Sequence, residues 1–164
     1  MFERVLAACR TVLPSVVLVT AAGQRERDRH LLAGSPSHGL NGALADQSER
    51  VPVEIVSDVF PAAGPLGGVH AALLAARARS AVGACVCACD APFVEGSLLR
   101  ALVTFSDEHD AVIPVTRRPD RLQPLFAWYS SDLVERIEEN IRRGRLALHR
   151  FIADLPRVKY LPVE

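Results

Sequence analysis

The sequence predicts a three-layer α/β fold: a mostly parallel sheet with helices on both faces. Three observations predict it. Short apolar runs alternate along the chain with stretches whose apolar residues recur at helical spacing. The runs are continuous and rich in β-branched residues, as in strands buried on both faces. Finally, 49% of the 164 residues are hydrophobic and 23% charged, enough apolar mass for the core of one domain spanning residues 1–164.

The elements follow in order. Val5, Leu6, Cys9, Val12 and Leu13 fall at helical spacing, and Val16–Val19 is the first strand. Residues 21–50 break the rhythm with charge, Gly, Ser, Pro and Asn, and read as a partly helical, then loop-like connection. Val53–Val56 is a second strand. Val69, Ala72, Leu73 and Ala76 at i, i+3, i+4 and i+7 mark a helix, and Ala84–Cys89 a third strand. A helix over Ser97–Phe105 turns Leu98, Leu99, Leu102 and Phe105 inward. Ala111–Ile113 and Leu125–Tyr129 are further strands. The helix over Asp132–Arg143 has Ser131 as its N-cap and Gly144 as its C′ stop. Leu148, Phe151, Ile152 and Leu155 mark one more helix, and Val158–Val163 a last strand.

Charge narrows the function classes. The 19 Lys+Arg balance 19 Asp+Glu, which argues against a nucleic-acid binder working through a basic excess. The N-terminal residues lack the long apolar run of a signal peptide, and no stretch reaches the ~18 apolar residues of a membrane span. The expected setting is the cytoplasm, with no membrane partner. Of the 4 cysteines, Cys85, Cys87 and Cys89 alternate in one strand. That puts neighbouring thiols ~6.6 Å apart, too far for one zinc. They read as small buried hydrophobes in a reducing compartment. His30, His38, His70 and His109 show no ligand spacing, and His70 reads as an exposed helix position.

In such sheets ligands bind beyond the carboxyl ends of the strands, so the residues just after strands are the candidates. Two places stand out. Ser57-Asp58 is followed by Gly64-Pro65-Leu66-Gly67-Gly68, running into the helix at Val69. Glycines there allow close backbone approach, and a helix start presents N–H groups with positive dipole character. Spacing alone fits a plain tight loop equally well. The second place is Asp90, at the tip of the third strand before Ala91-Pro92-Phe93. A strand-end carboxylate suits a divalent metal, and equally an Asp capping the next turn. Together, a Gly-rich turn and a strand-end Asp are what a nucleotidyltransferase requires: backbone donors for the nucleoside, and a metal to draw charge off the triphosphate.

Gly64-Pro65-Leu66-Gly67-Gly68, Cys89-Asp90-Ala91-Pro92-Phe93 and Arg121-Leu122-Gln123-Pro124-Leu125-Phe126-Ala127-Trp128-Tyr129 stand in the order and spacing of one family. The chain resembles the molybdenum cofactor guanylyltransferases, the MobA-like branch of the nucleotidyltransferases. The resemblance implies a Rossmann-like nucleotidyltransferase fold. It also implies transfer of GMP from GTP to molybdenum-bound molybdopterin, with Mg²⁺ as cofactor and pyrophosphate as product. It makes Asp90 the catalytic, metal-holding and nucleotide-binding carboxylate, and puts Asp58 and Gly64, Pro65, Leu66, Gly67 and Gly68 on the nucleotide. Arg121 and Gln123 would lie toward the pterin. Apart from the resemblance, the cluster Arg142, Arg143, Arg145, His149 and Arg150 reads first as a solvated helix end whose cations suit the dipole, and second, through Arg143 and Arg145, as a phosphate contact for the pterin. Thr20 stands where some relatives carry a nucleotide-contacting Asn. Implied partners are GTP, the molybdopterin cofactor, and molybdenum-insertion and molybdoenzyme proteins.

The resemblance also implies a domain incomplete at both ends. The family's opening strand and LAGGxSxRMGxDK loop have no counterpart here, nor has its NxNTPEDL-like segment. Lys159, the sole lysine, lies far from the position of that loop's lysine. A first strand is usually central in a doubly wound sheet, so its absence would expose neighbouring strand edges. The expectation is little guanylyl transfer by these 164 residues. The alternatives are a related nucleotidyltransferase using CTP or a sugar phosphate, and a non-catalytic cofactor-binding or assembly module.

Overall fold

The structure is a computed structural model that describes residues 2–21, 24, 51–91, 95–116 and 121–163. The expected connection over residues 21–50 therefore lies almost wholly outside the described residues. Five helices and six strands are described: α1 (Phe2–Arg10), β1 (Val16–Thr20), β2 (Val53–Ser57), α2 (Pro65–Arg77), β3 (Gly83–Cys87), α3 (Gly96–Thr104), β4 (Ala111–Thr116), β5 (Phe126–Ser130), α4 (Val134–Arg142), α5 (Leu148–Ala153) and β6 (Val158–Val163). A 3₁₀ turn, Ser131–Leu133, leads into α4.

The strands form two sheets. β1 and β2 pair in parallel, and the other four run in the order β3-β5-β4-β6. Within this second sheet β4 and β6 are parallel, whereas β5 is antiparallel to both β3 and β4. The mostly parallel sheet expected from the sequence is therefore mixed. The reason is length: a parallel return needs a crossover of a dozen or more residues, usually helical. The connection from Thr116 to Phe126 is shorter, so β5 comes back antiparallel.

Alternation of side chains builds the three layers. On one face, Ala84 and Val86 of β3, Ala111 and Ile113 of β4, and Ala127 and Tyr129 of β5 pack with Leu66, Val69 and Leu73 of α2, Ile137 of α4, and Phe151 and Ile152 of α5. On the other face, Cys85, Val112, Phe126 and Trp128 pack with Val5 and Cys9 of α1 and Leu99 and Leu102 of α3. Each fully buried Leu or Ile contributes ~1.5–3 kcal/mol. These two clusters therefore outweigh the exposed ion pairs, which are worth ~0–1 kcal/mol each.

Several element ends differ from the sequence reading. The helix expected at Val69 begins at Pro65, because a proline suits the first helical position, where its missing N–H has no intrahelical partner. Gly67 and Gly68 thus lie in the first turn of α2, not in a loop. The N-cap is Ser130, whose hydroxyl accepts from the Asp132 N–H at 3.2 Å, while Ser131 donates to the Val82 carbonyl at 3.1 Å. Phe105 is 39% exposed instead of inward, and the Lys159 ammonium lies 5.2 Å from its ring centroid.

Candidate functional site

Three tethers set which chain ends meet. The Asp58 N–H donates to the Thr20 carbonyl at 2.9 Å, joining the carboxyl ends of β1 and β2. Arg79, just past α2, pairs with Glu54 near the amino end of β2, so α2 runs back along β2 and the chain enters β3 at that amino end. The carboxyl ends of β1, β2 and β3 therefore share one rim with the start of α2. Gln123 and Arg121 belong to it as well: they follow β4 back from Thr116, with Gln123 N–H donating to the Pro114 carbonyl at 2.9 Å.

Asp58 is the best-fixed group on this rim. Its carboxylate accepts from the Phe60 N–H at 2.7 Å, an Asx-type turn that closes the end of β2. The same carboxylate lies over Gly67: a Cβ there would come within 2.8 Å of Oδ2 and 3.0 Å of the Phe60 carbonyl. Gly67 is glycine because the carboxylate and the loop backbone occupy the side-chain space. Gly64, the N-cap of α2, has φ 57°, a left-handed conformation that glycine adopts without cost. The Gly67 and Gly68 N–H groups donate to its carbonyl at 3.0 and 3.4 Å. A carboxylate at a helix start is also favoured by the helix dipole.

Thr20, Asp58, Gly64, Pro65, Gly68 and Cys89 line one cavity of about 490 Å³. Leu66 does not face it, since its side chain is fully buried in the core beneath α2. Asp90 lies next to Cys89, exposed, in a turn closed by the Ala91 N–H on the Ala88 carbonyl at 3.1 Å. The β3 ladder ends at Cys87, so Asp90 stands three residues beyond the strand instead of at its tip. Pro92 and Phe93 lie outside the described residues. Thr20 is buried, and its hydroxyl donates to the Val56 carbonyl at 3.5 Å.

Arg143 and Arg145 sit at the end of α4. Arg77 near the end of α2 pairs with Glu135 near the start of α4, and His70 early in α2 meets Glu138. The two helices are thus antiparallel, and the end of α4 points toward the rim that holds Gly64. Arg143 pairs with Glu139 at 2.5 Å, and Arg145 Nε donates to Asn140 Oδ1 at 2.9 Å. Lys159 lies at the opposite end of the sheet, beside the close of α3.

Two readings are corrected here. His70 is not exposed: it is 1% accessible, packs edge-on to Phe60 at 5.0 Å, and its Nε2 lies 3.1 Å from Glu138 Oε1. Its position on the apolar face shared by Leu66, Val69 and Leu73 was the available signal. Of the cysteines, Cys9 is buried and Cys85 and Cys87 are half-buried, but Cys89 is exposed. Burial pushes the Cys85 thiol up to about 12. A hydrogen bond with Cys9, then burial, raises Cys87 further.

Fold and site define the class: a three-layer α/β protein whose candidate site lies at the carboxyl ends of its strands. More narrowly, the chain belongs to the family of the MobA-like NTP transferase domain, whose sequence profile matches residues 1–158. It is 36% identical over 125 residues to a Pelotomaculum thermopropionicum protein named probable molybdenum cofactor guanylyltransferase, covering 76% of this chain and 58% of that one. The chain spans little more than half the length of such curated relatives, 58% and 54% for two of them. Molybdopterin-guanine dinucleotide biosynthesis protein A of Archaeoglobus fulgidus matches in structure with a TM-score of 0.63 at 25% identity, covering 96% of this chain and 68% of that one. A crystal structure from Aquifex aeolicus matches the fold with a TM-score of 0.74 at 21% identity, covering 99% and 72% of the two chains.

Proposed function

We propose that this chain binds GTP for transfer of GMP to molybdenum-bound molybdopterin, forming the guanine dinucleotide cofactor. The observation that carries the reading is the Asp58 carboxylate, held by the Phe60 N–H against Gly67 at the start of α2. It offers a fixed acceptor for the N–H and O–H groups of a nucleoside, with glycines letting the ligand approach closely. The transfer forms a bond between a phosphate oxygen of the pterin and the α-phosphorus of GTP. The bond to the β-phosphate bridging oxygen breaks, and its electron pair leaves with pyrophosphate.

Asp90 fits Mg²⁺, because that ion takes one or two carboxylates together with substrate phosphates and waters. When bound, the ion offsets the charge gathering on the phosphates. Gly64, Pro65, Gly67 and Gly68 shape the nucleoside side of the site, with Leu66 contributing its backbone there. Arg121, Gln123, Arg143 and Arg145 serve the pterin side as cationic and amide donors.

Calorimetric titration with GTP, with and without MgCl₂, tests this. Asp90→Asn should lose the Mg²⁺-dependent part of the binding, and Gly67→Ala, which displaces the Asp58 carboxylate, should weaken GTP about ten-fold, a loss of ~1.4 kcal/mol. CTP should bind more weakly than GTP. Absence of GTP binding under both conditions would overturn the reading, and pterin binding alone would favour an assembly module.

A further inference from the structure

His70 is a polar ring in an apolar place. It is buried on the stripe of α2 that carries Leu66, Val69 and Leu73 into the core. Its Nε2 lies 3.1 Å from Glu138 Oε1, and its Nδ1 is buried with no hydrogen-bond partner among the described residues. A buried nitrogen left unpaired costs free energy that a leucine there would avoid. The two contacts that the ring does make show what offsets that cost.

The first contact is with Phe60, on which the connection from β2 to α2 turns. Phe60 donates its N–H to Asp58 Oδ1 at 2.7 Å, and its carbonyl accepts from the Ala63 N–H at 2.8 Å. Its ring meets the His70 ring edge-on, with centroids 5.0 Å apart and planes inclined at 64°. Seating the Phe60 ring therefore seats the N–H that aims the Asp58 carboxylate. The second contact fixes His70 itself. A carboxylate only accepts, so the bond to Glu138 places a proton on Nε2 and orients the ring. Glu138 is held in turn: its Oε2 accepts from Arg142 Nη2 at 2.6 Å, one turn further along α4. A series of contacts thus runs from α4 through His70 and Phe60 to Asp58.

We propose that His70 is a positioning residue: anchored by Glu138, its ring seats Phe60 and so holds the Asp58 carboxylate in place for the nucleoside. The use of Asp58 by a nucleoside rests on the reading above, whereas the seating of Asp58 by His70 does not. A leucine would fill the space without reaching α4, and a long flexible donor would reach Glu138 without presenting a rigid face to Phe60. A flat ring with a donor on its edge meets both demands. The seat is delivered by the packing of α2 on α4, since Glu138 comes sixty-eight residues after His70. An acceptor already held in place loses less freedom when its ligand binds.

Amide exchange in the nucleotide-free chain, with calorimetry in GTP and MgCl₂, tests this. His70→Gln keeps a donor for Glu138 and removes the ring; Phe60→Leu keeps the Phe60 N–H and removes the ring facing His70. Each should speed exchange at the Phe60 amide about ten-fold. A role in packing alone would speed the Trp128 and Tyr129 amides, which report global unfolding, and leave the locally opening Phe60 amide as it is. Glu138→Ala probes the same seat from a partly exposed position and should speed the Phe60 amide at least ~3-fold, and Glu138→Gln, which keeps an acceptor, should restore it. GTP affinity should fall about ten-fold in His70→Gln and no further when Phe60→Leu is added, because both act through one carboxylate. An unchanged Phe60 amide in His70→Gln and Glu138→Ala, or additive losses of GTP affinity, would overturn the proposal. A responding Phe60 amide in a chain that binds no GTP would support the seating and count against the nucleotide reading alone.

Discussion

Ser80 shows how one residue carries local cost for a turn. Its φ is 56°, and it is the non-glycine residue with positive φ among the described residues. The Ala81 N–H donates to the Ala76 carbonyl and the Ser80 N–H to the Arg77 carbonyl, at 3.0 and 2.9 Å, which is a Schellman close of α2. Gly144 performs the same task after α4 at φ 70°, with Arg145 and Gly144 N–H groups on the Asn140 and Ile141 carbonyls. Glycine has no Cβ to clash in this conformation, so Ser80→Gly should stabilise the fold by about 1 kcal/mol, less the backbone entropy that glycine adds to the unfolded chain. Urea denaturation checks this: the midpoint should rise with an unchanged slope, and a fall would refute it. The sequence shows why one stop was legible and the other not. Gly144 announces a left-handed residue; Ser80 does not, because serine gains that conformation only from the surrounding turn. His70 is a different case: its place on the apolar stripe of α2 was legible, whereas its partner Glu138, sixty-eight residues away in the chain, was not.

At the scale of elements, α2 and α4 are held antiparallel by apolar contacts, by His70 against Glu138, and by one exposed pair. Arg77 donates to both Glu135 carboxylate oxygens, with Nη2 to Oε2 at 2.9 Å, and also to the Ser131 carbonyl at 2.7 Å. The Arg77 hydrogen bonds hold the Glu135 carboxyl down at about 2, against an ordinary 4.5. A carboxylate whose folded value is depressed binds its proton more readily in the unfolded chain, so its contribution is complete above about 4.5 and disappears as pH falls toward about 2. Both side chains are solvent-exposed, so screening keeps the effect small. Wild-type chain should exceed Glu135→Gln in stability at pH 6 and low salt, and the difference should vanish toward pH 2 or in high salt. A difference independent of pH would show that the substitution acts through packing. Element order and type were legible because each apolar run or helical stripe is a local pattern. The direction of β5 and the start of α2 were not, because the first depends on connection length and the second on a proline that periodicity ignores.

For the whole molecule, the division of strands into two sheets implies unequal stability. The β3-β5-β4-β6 sheet carries both apolar clusters, one on each face. The β1-β2 pair is a two-stranded ladder of five residue pairs, the kind that is marginal unless it packs on other elements. Its support comes from α1 and α2. The site rim spans this division, with Asp58 on the β2 side and Asp90 on the β3 side. The three-layer class and the carboxyl-end location of both carboxylates could be read from the chain, but which strands pair is a long-range choice that the local pattern does not encode. Native-state hydrogen exchange in low urea should resolve two tiers. The Trp128 and Tyr129 amides should exchange only through global unfolding, with the steep urea dependence of full exposure. The Leu18 and Val56 amides, which lie in the β1-β2 ladder, should open sub-globally at ~2–4 kcal/mol lower cost and with a shallower urea slope. Coincidence of the two sets would mean that α1 and α2 weld both sheets into one cooperative unit. Separation would mean that the rim carrying Asp58 and Asp90 crosses the boundary between two cooperative units.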